Sequence, residues 1–411
     1  MCQIEIWVPK EVLLTTLKKD HLSSASTMAR GKANELNQSL SLLIFALQIV
    51  ACAHGGSKNA QFNWAFFILI ASLCTYHIFF TASNDAVSDS SSAMNVANFI
   101  FTASDFILLR NWQPELRQIG QRRPTSEMSV WERLKWGFNL SVTPRTLGWS
   151  SEPTSYIRPK PTSGRVAFIV SQLAWIFFYY IIFDATSMIT LSIPIYGKGG
   201  PTFAEYGWIW RATIWNHVLN TYTLLSIIYS SASVGTVALG LYQPGDWPHI
   251  FGYFSRDGYT VRGMWGRVWH QMLRKPVTSH ANALTEILGL PKSKFTAYFQ
   301  LYVSFFISGL IHFAGDYMLH QDWAGRAVSF FVLQAVGITL EDMVNAIAKR
   351  AGLTGSPLAK FMGFCWVIIW FSFSLPWWLE RNFHAGSFDE GPRLPSLIMG
   401  LWKGDWTPSR M

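Results

Sequence analysis

His312 lies inside the apolar run Phe305–Tyr317, FFISGLIHFAGDY, far enough from either end that water reaches it poorly. Ser308, His312 and Asp316 follow at four-residue intervals, which on a helix puts them on one face. A histidine flanked by a hydroxyl and a carboxylate on a buried face suits a general base with an orienting partner. Gly309 and Gly315 thin the helix, so a substrate or another backbone can approach there. A small-residue helix contact, with His312 bonding across to a neighbour, explains the same residues. Spacing alone leaves both readings open.

A second constellation runs through GDWPHIFGYFSRDGYTVRGMWGRVWHQMLRKP, Gly245–Pro276. Its Gly, Pro and Asp open it as a loop. Trp265, Trp269 and Met272 then alternate with Arg262, Arg267, His270, Arg274 and Lys275. At helical spacing this predicts a basic, aromatic, amphipathic helix at the membrane interface. The cations, Arg267 and Arg274 among them, are equally the chemistry for holding a phosphorylated ligand. Anchor and ligand site both remain open.

The elements that carry these residues follow from composition. Only 14% of the 411 residues are charged, against about 25% in a soluble domain, so a soluble fold has too little charge for its surface. Apolar runs lie near 40–53, 62–82, 95–109, 165–193, 208–241, 296–319, 327–347 and 358–379. A span needs roughly 20 apolar residues. The expectation is therefore an all-α integral membrane protein, a bundle of about eight transmembrane helices, to which the family resemblance set out below adds an interior tunnel. The expected organisation is a polar segment 1–39, a membrane domain 40–379 and a tail 380–411. No cleavable signal peptide opens the chain, and the four cysteines show no metal or disulfide spacing. No metal is expected.

The excess of 33 Lys and Arg over 24 Asp and Glu is local. Segment 110–163 holds nine cations against four acids, and segment 242–295 holds seven against three. With those spans, both loops fall on one side, which the positive-inside rule makes cytosolic. Lys10, Lys18, Lys19, Arg30 and Lys32 of the N-terminus resist that parity unless 40–53 does not cross. Topology thus accounts for the basic balance without nucleic acid.

The order Asp-Trp-Pro (246–248), Met264-Trp-Gly-Arg-Val-Trp-His-Gln (264–271) and Ser308-Gly-Leu-Ile-His312 resembles the wax synthase-like branch of the membrane-bound O-acyltransferase family, in its fungal natural-product acetyltransferase type. Arg145-Thr-Leu-Gly-Trp149 is similar to the branch's Arg-Gly-x-Gly-Trp segment. Met264 stands where Phe is usual, Val268 where Arg is common and Thr146 where Gly is usual. The resemblance spans roughly 145–320. It implies a membrane enzyme, in the endoplasmic reticulum, moving an acyl group, acetyl by preference, from acyl-CoA to a hydroxyl of a lipophilic acceptor: a terpenoid, steroid-like or polyketide compound. It makes His312 the catalytic histidine and assigns Trp265, Arg267, Trp269 and His270 to the second motif. No cofactor beyond the acyl-CoA co-substrate is implied. Implied partners are the bilayer, acyl-CoA and the alcohol.

Other readings compete. A wax-ester synthase would use a long-chain donor and a fatty alcohol. A membrane prenyltransferase would use Asp85 and Asp89 of Asn84–Asp89 with magnesium. A transporter would use Asp105, Asp184, Arg211 and His217 as a pathway. His312-Phe-Ala-Gly-Asp316 also fits the HxxxD pattern of soluble acyltransferases, whose surface charge this chain lacks.

Overall fold

The computed structural model describes residues 34–35, 38–54, 60–83, 85–109, 116–353, 355–389 and 394–409. Segment 1–33, with its cations and Cys2, lies outside them, as does Asn84. Apart from a two-residue parallel ladder, Asn34–Glu35 with Thr81–Ala82, the described fold is helical.

Each apolar run becomes one long helix: α1 Gln38–His54, α2 Ala60–Phe80, α3 Ala86–Ala103, then α5 Arg165–Ser192 and α6 Ile214–Ala238 after a short α4, Val130–Ser141. Beyond α7, Arg274–Ile287, come α8 Lys294–His320, α9 Ala327–Arg350 and α10 Pro357–His384, and α11 Leu397–Lys403 closes the order. Among the described residues five helices, α2, α5, α8, α9 and α10, are long and apolar enough to cross a bilayer. The protein is thus multi-pass. The other three expected spans fall short for physical reasons. α1 has 17 residues, α3 opens with the serine-rich stretch Ser88–Ser92, and α6 carries Asn216, Asn220, Thr223 and Ser226.

The polar groups of α6 face α5. The Asn220 amide donates to Thr186 Oγ1 and Ser187 Oγ, each at 2.9 Å, and Asn216 donates to Thr190 Oγ1 at 2.8 Å. Such bonds join helices where apolar burial gives little preference. The outward faces stay apolar and exposed, as at Ile68, Phe177 and Ile369, which a lipid surround accommodates. Gly309 and Gly315 are close-contact points between helices. A Cβ at Gly309 would stand 2.8 Å from the Val328 backbone of α9, and one at Gly315 2.8 Å from Ser90 of α3.

α4 is capped by a reciprocal Ser129–Glu132 box. Trp131 points outward, whereas Trp136 packs edge-on against Trp149 at 5.0 Å. The C-terminal residues fasten to α5: Ile398 N donates to Asp184 Oδ2 at 2.8 Å, and Tyr180 donates to the Pro395 carbonyl.

Candidate functional site

The segment between α6 and α8 departs most from expectation. Residues Met264–Val268 form a π-helix, and Trp269 is extended at φ −68°, ψ 155°. Single π turns concentrate at functional sites. The segment is not an interface helix but is inserted among α8, α9 and α10. The Trp265 ring lies 6.0 Å from Phe305, 5.6 Å from Phe331 and 5.8 Å from Phe371. Its Nε1–H shares the Gln334 side-chain oxygen with Trp370, at 3.3 and 2.9 Å. A bulky indole with its one donor satisfied is at home in such a core.

Polar bonds at both ends hold this insertion. Glu341 of α9 accepts from Val261 N at 2.6 Å, and Arg262 pairs with Asp342. Gln271 donates to the carbonyls of Trp265 and Trp269 at 3.1 and 2.6 Å, closing the π turn. Arg274 donates to Gln271 Oε1 at 2.7 Å and to the Gly266 carbonyl at 2.7 Å, and stacks over Tyr156. Expected as a phosphate contact, Arg274 is a brace of the turn. Arg267 is half-exposed with a loose 3.5 Å contact to Asp257. Gly252 donates to the Val268 carbonyl at 2.8 Å, and a Cβ there would meet the Arg267 carbonyl at 2.0 Å.

His312 sits on α8 with Nδ1 2.8 Å from the Ser308 carbonyl. A carbonyl only accepts, so Nδ1 carries the proton and Nε2 keeps its lone pair. Among the described residues Ser308 thus contributes its backbone to the ring, and no hydroxyl bond joins the two. The ring is half-buried. Phe331 lies 4.4 Å from it and Trp378 5.4 Å, nearly perpendicular.

Asp316, expected beside His312, has its hydrogen bonds elsewhere. Its carboxylate accepts from Trp378 Nε1 at 3.0 Å, Asn382 Nδ2 at 2.9 Å and Ala327 N at 3.0 Å, and no bond reaches His312. The four-residue spacing is real, but the carboxylate points to α9 and α10 and ties their ends to α8.

His270 follows the π turn and stands within electrostatic reach of both His312 and Arg145. Burial, reinforced by those two neighbours, pushes its ring down to about 3, so it is neutral at physiological pH. Its Nδ1 is buried without a hydrogen-bond partner. Trp269 packs on Phe251 at 5.2 Å. Arg145 is itself buried, donating to the carbonyls of His249 at 3.0 Å and Pro248 at 2.8 Å and to Tyr229. The next residue, Thr146, has φ of 49°, the left-handed region that glycine tolerates best.

The rival assignments fare differently. Asp85 accepts from Val87 N and Ser88 N and caps α3, while Asp89 accepts from Ser83 N at 2.7 Å. Asp105 pairs with Lys275 at 2.8 Å, Asp184 holds α11, and His217 lies against Phe383 and Phe388. These groups are dispersed rather than aligned. Among the described residues no three His, Cys, Asp or Glu side chains gather as a metal site. Trp378, Asn382 and Gln334 went unnoticed in the sequence. A Trp-Trp pair after Pro376 inside an apolar run was the available signal.

Residues 247–333 match the model of the membrane-bound O-acyltransferase family. Acetyltransferase eriL of Hericium erinaceus is 34% identical over 87% of this chain and 95% of its own length. Acetyltransferase ple2 of Rhodocybe pseudopiperita is 34% identical over 90% and 98%. Acetyltransferase aurG of Calcarisporium arbuscula is 28% identical over 70% and 74%. No solved structure matches the chain.

Proposed function

The chain belongs to the membrane-bound O-acyltransferase family, and from that premise we propose acetyl transfer from acetyl-CoA to the hydroxyl of a lipophilic natural-product alcohol, with His312 as general base and His270 beside it. The observation that supports this most is the His312 tautomer: Nδ1–H bound to the Ser308 carbonyl leaves Nε2 ready to accept a proton. The alcohol gives that proton to Nε2 as its oxygen attacks the thioester carbonyl. The neutral His270 ring offers an N–H to the carbonyl oxygen as it becomes an oxyanion. Collapse of the tetrahedral adduct breaks the C–S bond. The departing thiolate takes the proton back from Nε2, giving ester and free CoA. A short donor suits the aromatic enclosure of Phe331, Trp378 and Trp265 better than the long chain of wax-ester synthesis.

In this reading the eight long helices surround an interior tunnel in the endoplasmic reticulum membrane. Both basic segments face the cytosol, from which acetyl-CoA enters. Purified protein in detergent, given labelled acetyl-CoA and a panel of lipophilic alcohols, tests the reading. His312→Ala is expected to lose roughly 10² to 10⁴-fold in rate. CoA release equal to wild type would remove the assigned base.

A further inference from the structure

The cations of the two basic segments are mostly engaged. Arg274 braces the π turn, Lys275 pairs with Asp105, Arg262 with Asp342, and Arg145 binds two carbonyls. Arg158 differs. It lines a cavity of about 160 Å³ between α5, α6 and residues 247–253, together with Gln172, Ser230, Trp247 and His249. Its Nη2 donates to the Gly252 carbonyl at 2.6 Å and its guanidinium stacks 4.0 Å over Tyr253, which fixes the group. Its Nε, however, is buried with no acceptor, and so is the Nε1 of Trp247 in the same wall. Among the described residues no carboxylate lines the cavity. Buried donors without acceptors are rare in folded proteins and call for a partner. A held guanidinium and an indole N–H in the lining of one cavity are donors of the kind that an oxyanion takes.

The cavity also adjoins the reactive centre. His249 lines it, the Phe251 ring is 6.4 Å from the His249 ring, and the His270 ring is 6.3 Å beyond Phe251. Gly252, held by Arg158, is hydrogen-bonded to Val268 at the end of the π turn.

We propose that Arg158 and Trp247 form an oxyanion subsite that holds a phosphate of the CoA donor, placing its pantetheine arm toward His270. This rests on the acetyl-transfer reading and assigns the phosphate contact to these two residues rather than to Arg274. An anionic lipid headgroup carries the same chemistry, so the test must separate the two sources.

The test compares Arg158→Gln and Trp247→Phe with the parent in phospholipid-free detergent. Trp247→Phe keeps an aromatic ring beside Tyr229 and removes the donor. Two donors are used, acetyl-CoA and S-acetylpantetheine, which lacks every phosphate. KM for acetyl-CoA is expected to rise on the order of tenfold in each variant, and by more than KM for S-acetylpantetheine. Equal loss with both donors would overturn the proposal, as the residues would then be structural. A loss confined to samples with added anionic phospholipid would overturn it in favour of a lipid headgroup. Direct binding of CoA against pantetheine, followed by thermal shift, reads the subsite independently of turnover. A parent inactive on every alcohol that still loses its CoA preference in both variants would retain the subsite and sink the acetyl-transfer reading.

Discussion

Trp378 stands edge-on to His312, ring centroids 5.4 Å apart, while its indole N–H donates to Asp316. The carboxylate one helical turn from His312 is therefore linked to it through an indole of another helix. Asp316 sets where Trp378 lies, and Trp378 forms one wall against the imidazole. Trp378→Phe, which keeps the wall and loses the tether, is expected to lower kcat roughly tenfold by loosening that wall, with KM for acetyl-CoA unchanged. Asp316→Ala strands three buried donors and is expected to cost about 3 kcal/mol of stability, read as a drop in melting temperature. If Asp316→Ala melts like the parent yet turns over as slowly as His312→Ala, the carboxylate would be a partner of the base and not a tether.

Acidification should destabilise the fold through His270 and His249. Burial, the leading cause for both, holds their rings down to about 3 and about 4, whereas an unfolded histidine titrates near 6.5. The folded rings stay neutral while the unfolded ones take up protons, so stability is complete above that value and falls as pH drops through 6.5 toward 4. At pH 5 each ring removes about 2 kcal/mol. Melting followed from pH 8 to pH 5 should show this slope, and His270→Gln should remove one ring's share of it, about 2 kcal/mol at pH 5. A flat profile in the parent would mean that neither ring is held neutral.

Lys275 and Asp105 form a buried pair, with side chains 12% and 0% exposed. Removing one partner breaks an ion pair that the fold encloses, so Lys275→Met is expected to destabilise by about 3 kcal/mol. Lys275→Met combined with Asp105→Leu should recover most of that loss. Unfolding midpoints of the two single variants and the double variant give the coupling, and additive losses would show that the pair acts as two independent groups.

Thr146 occupies a left-handed position and donates from its hydroxyl to the Ser151 carbonyl at 3.1 Å. Glycine would relieve about 1 kcal/mol of strain and forfeit a bond of about the same worth. Thr146→Gly should therefore melt near the parent. Thr146→Val keeps the strain and loses the bond, so it should fall below both by about 1 to 2 kcal/mol. A valine variant as stable as the parent would deny the hydroxyl any role.

The long helices were legible because an apolar run is a local property: each run maps onto a helix with ends shifted by a few residues. His312 was legible for the same reason, being a titratable group isolated in an apolar stretch. What the spacing could not carry was direction across helices. Ser308, His312 and Asp316 do share a face, but whether Asp316 bonds within its own helix depends on Trp378 and Asn382, more than sixty residues away. The Trp265–Lys275 segment misled more deeply. Alternating cations and indoles satisfy an interfacial helix, and only burial among Phe305, Phe331 and Phe371 shows that this one turns inward. Arg274 had its charge read correctly and its partner missed, since the Gly266 carbonyl that it bonds exists as an acceptor only once the π turn has formed.

That π turn makes the second motif a matter of register. A π-helix is an α-helix holding one surplus residue, and each α-helical residue advances the direction of its side chain by about 100°. Met264–Val268 thus acts as a phase shifter between the tether at Glu341 and the bend at Trp269. Deleting a single residue there would restore a regular α-helix, swing Trp269 and His270 by about a quarter of a circle, and leave every residue type of the motif in place but facing the wrong way.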